Sequence, residues 1–179
     1  RLDGRPFERY IREEVFEPLG MVDSWVGMPR DRYLQYREAG RIGAMWNTEK
    51  SPPEPHPWDR EERCVNVHPG GNGHGPMREM GRFYEMLLGR GSLEDQRLLS
   101  PQSVEALTAR HRVGMMDSTF KHVMDWGLGF IPNSAQYGAE TVPYAYGHRA
   151  SRRAFGHSGY RSSVGFADPE RGLAVALAF

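Results

Sequence analysis

The stretch Ala154–Phe179, AFGHSGYRSSVGFADPERGLAVALAF, limits what this chain can fold into more than any other part of it. Two runs rich in apolar and β-branched residues, Ser162–Ala167 and Leu173–Phe179, flank Asp168-Pro169-Glu170-Arg171-Gly172. Proline and glycine at those positions are turn formers, so the two runs are predicted to form a β-hairpin. Phe155–Gly159, just upstream, reads as a third, neighbouring strand carrying His157, Ser158 and Gly159. An imidazole and a hydroxyl projecting from a strand edge, followed by a glycine that lets another backbone approach closely, have the makings of an active-site wall.

The preceding residues read mainly as helices and loops. From Pro6 to Leu19, Phe7, Tyr10, Ile11, Val15 and Leu19 recur three or four apart and predict one apolar helix face, ended by Pro18 and Gly20. Glu13 and Glu14 are adjacent and diverge on such a helix, so they read as solvated charges rather than an acid/base pair. The run Ser51–Pro57 holds four prolines and predicts an extended, polyproline-like loop. His56, Cys64, His68 and His74 are ligand types for zinc, but their intervals repeat no zinc-finger spacing, and no metal or other cofactor is expected.

Gly70–Gly75 is glycine-rich and precedes a helix, which is the recipe for an anion cradle. It lacks the Lys-Ser/Thr ending of a phosphate loop and reads as a tight loop feeding the next helix. That helix spans Pro76–Leu88, with Met80, Phe83, Met86 and Leu87 on one face and Gly89 and Gly91 stopping it. Ser100 is a predicted N-cap with Pro101 at the first helical position and an end near Arg110. Residues 132–150 read as a loop before the last sheet.

The chain has 179 residues, enough for one domain with a sizeable core. Lys+Arg and Asp+Glu both number 23, so no general attraction to nucleic acid is implied. The arginines at 149, 152, 153 and 161 accordingly read as a solvated rim rather than a nucleic-acid module. The single cysteine, Cys64, rules out an intrachain disulfide. No apolar run approaches the ~20 residues of a membrane-spanning helix.

Four blocks carry a resemblance. Gly156-His157-Ser158-Gly159 with Val164–Val175 resembles the carboxyl-terminal signature of the serine β-lactamase-like family. This family comprises class C β-lactamases, penicillin-binding-protein-like D-Ala-D-Ala carboxypeptidases, D-aminopeptidases and family VIII-type esterases. Phe16–Met21 with Asp23-Ser24 resembles its "PLGM" segment, Pro69–Gly73 leading into Met80–Phe83 and Met86–Leu88 its Gly-rich loop and helix, and Trp126–Phe130 the short strand before the final sheet. All four occur in the family's order.

The resemblance implies an α+β, β-lactamase/transpeptidase-like fold, an antiparallel sheet flanked by helices, present here as a partial domain over residues 1–179. It further implies hydrolysis of ester, amide or β-lactam bonds in a small-molecule acyl substrate through an acyl-serine. The serine belongs to a Ser-x-x-Lys motif, and its lysine and the tyrosine of a Tyr-x-Asn motif handle the proton. The third motif corresponds to His157, Ser158 and Gly159. His157 orients the hydroxyls or supplies positive charge when protonated, Ser158 hydrogen-bonds a substrate carboxylate or carbonyl, and the backbone N–H of Tyr160 is one oxyanion-hole donor, worth about 3–4 kcal/mol. Histidine rather than lysine at that motif points toward an esterase or peptidase-like member.

The first two motifs precede "PLGM" in the family, whereas only fifteen residues precede Phe16 here and no Tyr-x-Asn occurs. Ser118-Thr119-Phe120-Lys121 has the Ser-x-x-Lys form in the wrong place and with little helical support, and reads as a coincidence. The expectation is therefore a carboxyl-terminal portion lacking its nucleophile, inactive alone and partnered by the amino-terminal half of the same protein. In the family a further helix follows the last strand and packs on the sheet. The rival expectation is a non-catalytic binding or scaffold protein that kept the fold.

Overall fold

The structure, a computed structural model, describes residues 3–143, 146–159 and 163–178. They divide into two units, one of residues 1–17 and 22–76 and the other of residues 18–21 and 77–179.

In the first unit, helix α1 (Phe7–Ile11) widens into a π-helical turn over Arg12–Phe16. The apolar spacing predicted a buried face, yet neither segment buries a residue, and Phe7 and Tyr10 are 40% and 42% exposed. Glu13 and Glu14 keep the access to solvent expected of them, with side chains 35% and 49% exposed, and are joined by a cation. The Arg5 guanidinium reaches both carboxylates, at 2.6 and 2.7 Å, so the two charges share one cation.

Strand β1 (Trp25–Val26) is followed by helix α2 (Arg30–Glu38), which buries Tyr33 and Tyr36 against Met28 and Cys64. The buried Tyr36 hydroxyl is satisfied by donating to Asp23 Oδ1 at 2.6 Å. Strands β2 (Trp46–Asn47) and β3 (Glu54–Pro55) pair antiparallel, so the proline-rich run is not the unpaired loop the sequence suggested. A two-residue ladder tolerates a proline that has no N–H to give. After helix α3 (Glu61–Cys64), strand β4 (Gly73–His74) pairs with β1, placing a short ladder inside the glycine-rich segment read as a loop.

The second unit holds helix α4 (Met77–Leu88), which lies across the two strands of the carboxyl-terminal hairpin. Its buried residues are Glu79, Tyr84, Met86 and Leu87, while Met80, predicted to face the core, is 39% exposed. Strands β5 (Ser92–Leu93) and β6 (Gln96–Arg97) form a small hairpin. Helix α5 (Pro101–Thr108) begins as the sequence predicts: Ser100 Oγ accepts the Ser103 N–H at 3.0 Å, and Pro101 stands at the first position.

Strands β7 (Arg112–Asp117) and β8 (His122–Trp126) pair with an irregularity between Arg112 and Met115, where Gly114 takes φ +63°. Their connection is the Ser118–Lys121 string. It is a hairpin turn with Lys121 at φ +55°, not the helical turn that would put Ser118 and Lys121 on one face. Asp125 on β8 is fully buried and ties this hairpin to the segment beyond it, accepting from Arg110 (2.8 Å), Gly114 N–H (2.9 Å), Tyr137 (3.0 Å) and Gln136 (3.3 Å).

The final sheet has the order β12-β11-β10-β9, antiparallel throughout, from β9 (Ile131–Pro132), β10 (Phe155–Ser158), β11 (Ser163–Asp168) and β12 (Leu173–Ala178). The hairpin about Asp168–Gly172 and its neighbouring strand match the sequence reading, Ser162 and Phe179 lying outside the described residues. The Trp126–Phe130 block behaves differently from the single strand assigned to it. Trp126 ends β8, residues 127–130 connect, and the strand that joins the sheet starts at Ile131. Two apolar clusters support the sheet: Met124, Ile131 and Val142 with Phe120 and Trp126, and Tyr146, Ala154 and Phe166 with Ala150, Val164 and Val175. Each fully buried large side chain in them contributes about 1.5–3 kcal/mol.

Candidate active site

β10 is held on one side along its whole length, with Phe155 opposite Ala167, Gly156 opposite Phe166, His157 opposite Gly165 and Ser158 opposite Val164. On its other side β9 covers only Phe155 and Gly156. His157 and Ser158 therefore run past the end of β9, and among the described residues no strand pairs with them on that edge. The alternation of the strand turns His157 to solvent and leaves Ser158 partly covered.

The His157 ring folds back on its own chain. Its Nδ1 lies 2.8 Å from the Ser158 carbonyl oxygen and 2.9 Å from the Ser158 amide nitrogen, so the tautomer chooses between donating to the first and accepting from the second. Either choice directs Nε2 away from the backbone. The Ser158 hydroxyl is the opposite case: its Oγ is shielded from solvent and has no hydrogen-bond partner among the described residues. A shielded hydroxyl without a partner costs about 1–3 kcal/mol, which a ligand oxygen or N–H would recover. Gly159 donates its N–H to Ser163 O at 2.9 Å, and a Cβ there would lie 2.4 Å from Ser163 Oγ. Tyr160, whose N–H the sequence assigns to the oxyanion hole, lies outside the described residues.

Three residues to which the sequence reading gave no part in the site support this edge. Tyr84, from α4, is buried beneath it. Burial pushes its phenol far above the ordinary tyrosine value, opposed only by the backbone N–H of His157. Its position four residues after Met80 placed it on the helix face already counted as apolar. Trp126, at the end of β8, lies beside His157 with ring centroids 5.8 Å apart at 58°. Asp117 accepts the Trp126 indole N–H at 3.0 Å. An Asp at the end of a strand and before Ser-Thr is the signature of an Asx turn, and Asp117 makes one, accepting from Thr119 and Phe120 N–H at 2.9 and 3.0 Å. These bonds, Phe120's first and then that of Arg112, hold its carboxyl down at about 2.

Of the His and Cys residues weighed as metal ligands, Cys64 and His74 both reach the Trp58 carbonyl oxygen. Cys64 is buried, with its thiol directed at Trp58 O, and His74 is held by Asn72 O and Trp58 O. Among the described residues no three His, Cys, Asp or Glu side chains are grouped to hold a metal ion, and no helix is long and apolar enough to cross a membrane.

This architecture, an antiparallel sheet with a helix laid across its hairpin, is that of β-lactamase/transpeptidase-like proteins. It matches a penicillin-binding protein homologue from Caulobacter crescentus with a TM-score of 0.70 at 29% identity, covering 98% of this chain and 47% of that one. It likewise matches a family VIII carboxylesterase with a TM-score of 0.70 at 24% identity, covering 97% of this chain and 46% of the other. In sequence the chain is 23% identical over 193 residues to the N-acetylmuramyl-L-alanine amidase of Bacillus subtilis strain 168, covering 99% of this chain. It spans 40% of the length of the curated relatives it matches. The Beta-lactamase family model matches residues 1–179, and the chain belongs to that family.

Proposed function

We propose that this chain supplies the third-motif wall of a serine hydrolase that cleaves ester or amide bonds in a small acyl substrate, the nucleophilic serine coming from a part of the protein outside these 179 residues. The observation that carries the reading is the Ser158 Oγ, shielded and without a partner among the described residues, at the open end of β10 beside an exposed His157. The uncovered strand edge adds backbone groups that an extended substrate can pair with. The family's relatives include an amidase, carboxypeptidases and esterases, which supports hydrolysis as the chemistry.

In this reading the serine oxygen adds to the substrate carbonyl carbon and gives its proton to the neighbouring base. The C–O or C–N bond then breaks as the leaving group takes a proton, and water releases the acyl group in the second half of the cycle. Ser158 holds a substrate oxygen and His157 lends its Nε2 edge to the hydroxyls or to the leaving group.

The test uses the protein at its full natural length. S158A is expected to raise KM for a p-nitrophenyl ester about 10-fold, as loss of one hydrogen bond to a charged or strongly polar group would, and H157A to lower kcat about 100-fold. Wild-type values in both variants would refute the assignment. The 179-residue chain by itself is expected to show no acyl transfer, and fluorophosphonate labelling of Ser118 would contradict that.

A further inference from the structure

We propose that Trp126 is a positioning residue for His157, held in place by Asp117 and Phe120, a role that rests on the reading of His157 as part of the acyl-transfer site. The imidazole is exposed, and among the described residues its polar contacts are to the backbone of Ser158 next to it in sequence, so no hydrogen bond ties the ring to another element of the fold. What stands beside it is the indole, 5.8 Å away and tilted at 58°.

The indole is fixed from three directions. Its N–H is held by Asp117 at 3.0 Å. Phe120 stacks on its face, with centroids 6.1 Å apart at 22°. The Arg112 guanidinium lies 5.6 Å from the ring centroid and pairs with the same Asp117 carboxylate. Asp117 is itself immobilised by two backbone N–H groups of the β7–β8 turn. A buried, multiply bonded carboxylate that spends one of its acceptor sites on an indole N–H, where that indole then touches an exposed histidine, is more than a turn needs. The turn's own N–H groups satisfy the local requirement. The chain of contacts runs from the Asx turn through the indole to the imidazole, and its far end is the group that meets substrate.

The experiment compares W126L, W126F and H157A in the full-length protein, reading ester-hydrolysis kinetics and the imidazole resonances by long-range 1H–15N correlation. W126L removes the wall. It is expected to lower kcat roughly 10- to 100-fold with a smaller change in KM, the scale of a misplaced catalytic group, and to shift the His157 resonances while those of His56 and His74 stay put. W126F keeps a ring but releases it from Asp117, and is expected to move the same resonances in the same direction by less, with a smaller loss in kcat. His157 resonances that match wild type in either folded variant would overturn the proposal. If H157A leaves kcat unaltered, the assignment of His157 to the acyl-transfer site falls. The resonance shifts still decide whether Trp126 fixes the imidazole.

Discussion

Tyr84 and Gly165 compete for one volume: a Cβ on Gly165 would lie 2.2 Å from Cε2 of the Tyr84 ring. Gly165 sits opposite His157 in the β10–β11 register, so the residue that seats α4 on the sheet is also the cross-strand neighbour of the site. G165A is expected to destabilise the protein by about 1–3 kcal/mol, the range for overpacking a tight contact, read as a lowered urea midpoint. The cost should shrink when combined with Y84L, because the two changes act on one contact. A midpoint for G165A equal to that of wild type would show that the ring moves aside freely.

Asp117 makes stability depend on pH in a defined window. The Phe120 N–H and then Arg112 lower its carboxyl from 3.8 to about 2 in the folded state, and its side chain is only 8% exposed. A group whose folded value is depressed stabilises fully above its unfolded value and loses that contribution as pH falls through the folded one. The stabilisation, about 2 kcal/mol, is thus present above roughly pH 4 and disappears by about pH 2. Asp168 acts in the same direction, so D117N is the control that isolates the effect. Wild type should lose more stability than D117N on acidification across this interval, and parallel curves would contradict the account.

The carboxyl-terminal hairpin was legible because two short runs rich in apolar and β-branched residues and an Asp-Pro…Gly turn between them are local signals, and β11 and β12 need nothing else to be recognised. The strand that carries His157 and Ser158 was legible in the same way, whereas their assignment to a site came from the resemblance of the surrounding block. The α1 face was not, since Phe7 and Tyr10 have helical spacing yet stay exposed, and spacing gives the face without saying whether anything covers it. Nor could spacing separate Met80 from Tyr84 on α4, because which of two neighbouring positions is buried depends on where the helix crosses the sheet, here at Gly165. The link from Asp117 through Trp126 to the site escaped because it spans 9 and then 31 residues of sequence, and no local pattern encodes it.

Cys64 is expected to be chemically quiet in the folded protein. It has no measurable exposure, and burial, reinforced by the nearby Asp59 carboxylate, pushes its thiol up to about 11. The thiolate is the reacting form, so at pH 8 only a small fraction is available and the route to it is closed. Reaction with a disulfide reagent should be slow in buffer and speed up by orders of magnitude in denaturant. Equal rates in the two conditions would mean the pocket formed by Met28, Tyr33 and Tyr36 opens readily.

Asp168 offers the sharpest ranking of variants. Fully buried at the end of β11, it accepts the Ser151 N–H at 2.7 Å, the Ser151 hydroxyl at 2.6 Å and the Glu170 N–H at 3.2 Å. Burial pushes its carboxyl up, but the Ser151 bonds outweigh that and the net direction is down. D168A strands a buried amide and a buried hydroxyl at once, each costing about 1–3 kcal/mol, so a loss of roughly 3 kcal/mol or more is expected. D168N keeps one acceptor oxygen for the Ser151 amide, and its NH2 can turn to the serine hydroxyl, so the loss should be smaller. S151A removes the hydroxyl donor to Asp168 and the acceptor of the part-buried Arg153 N–H, at 3.2 Å, while leaving the Ser151 amide bond to Asp168 in place, and should cost about 1–2 kcal/mol. Denaturant midpoints in the order S151A, D168N, D168A from most to least stable support this arrangement. Equal losses in D168N and D168A, with S151A close to wild type, would mean that the carboxylate holds the turn through its charge, to Arg171 at 3.4 Å, rather than through these bonds.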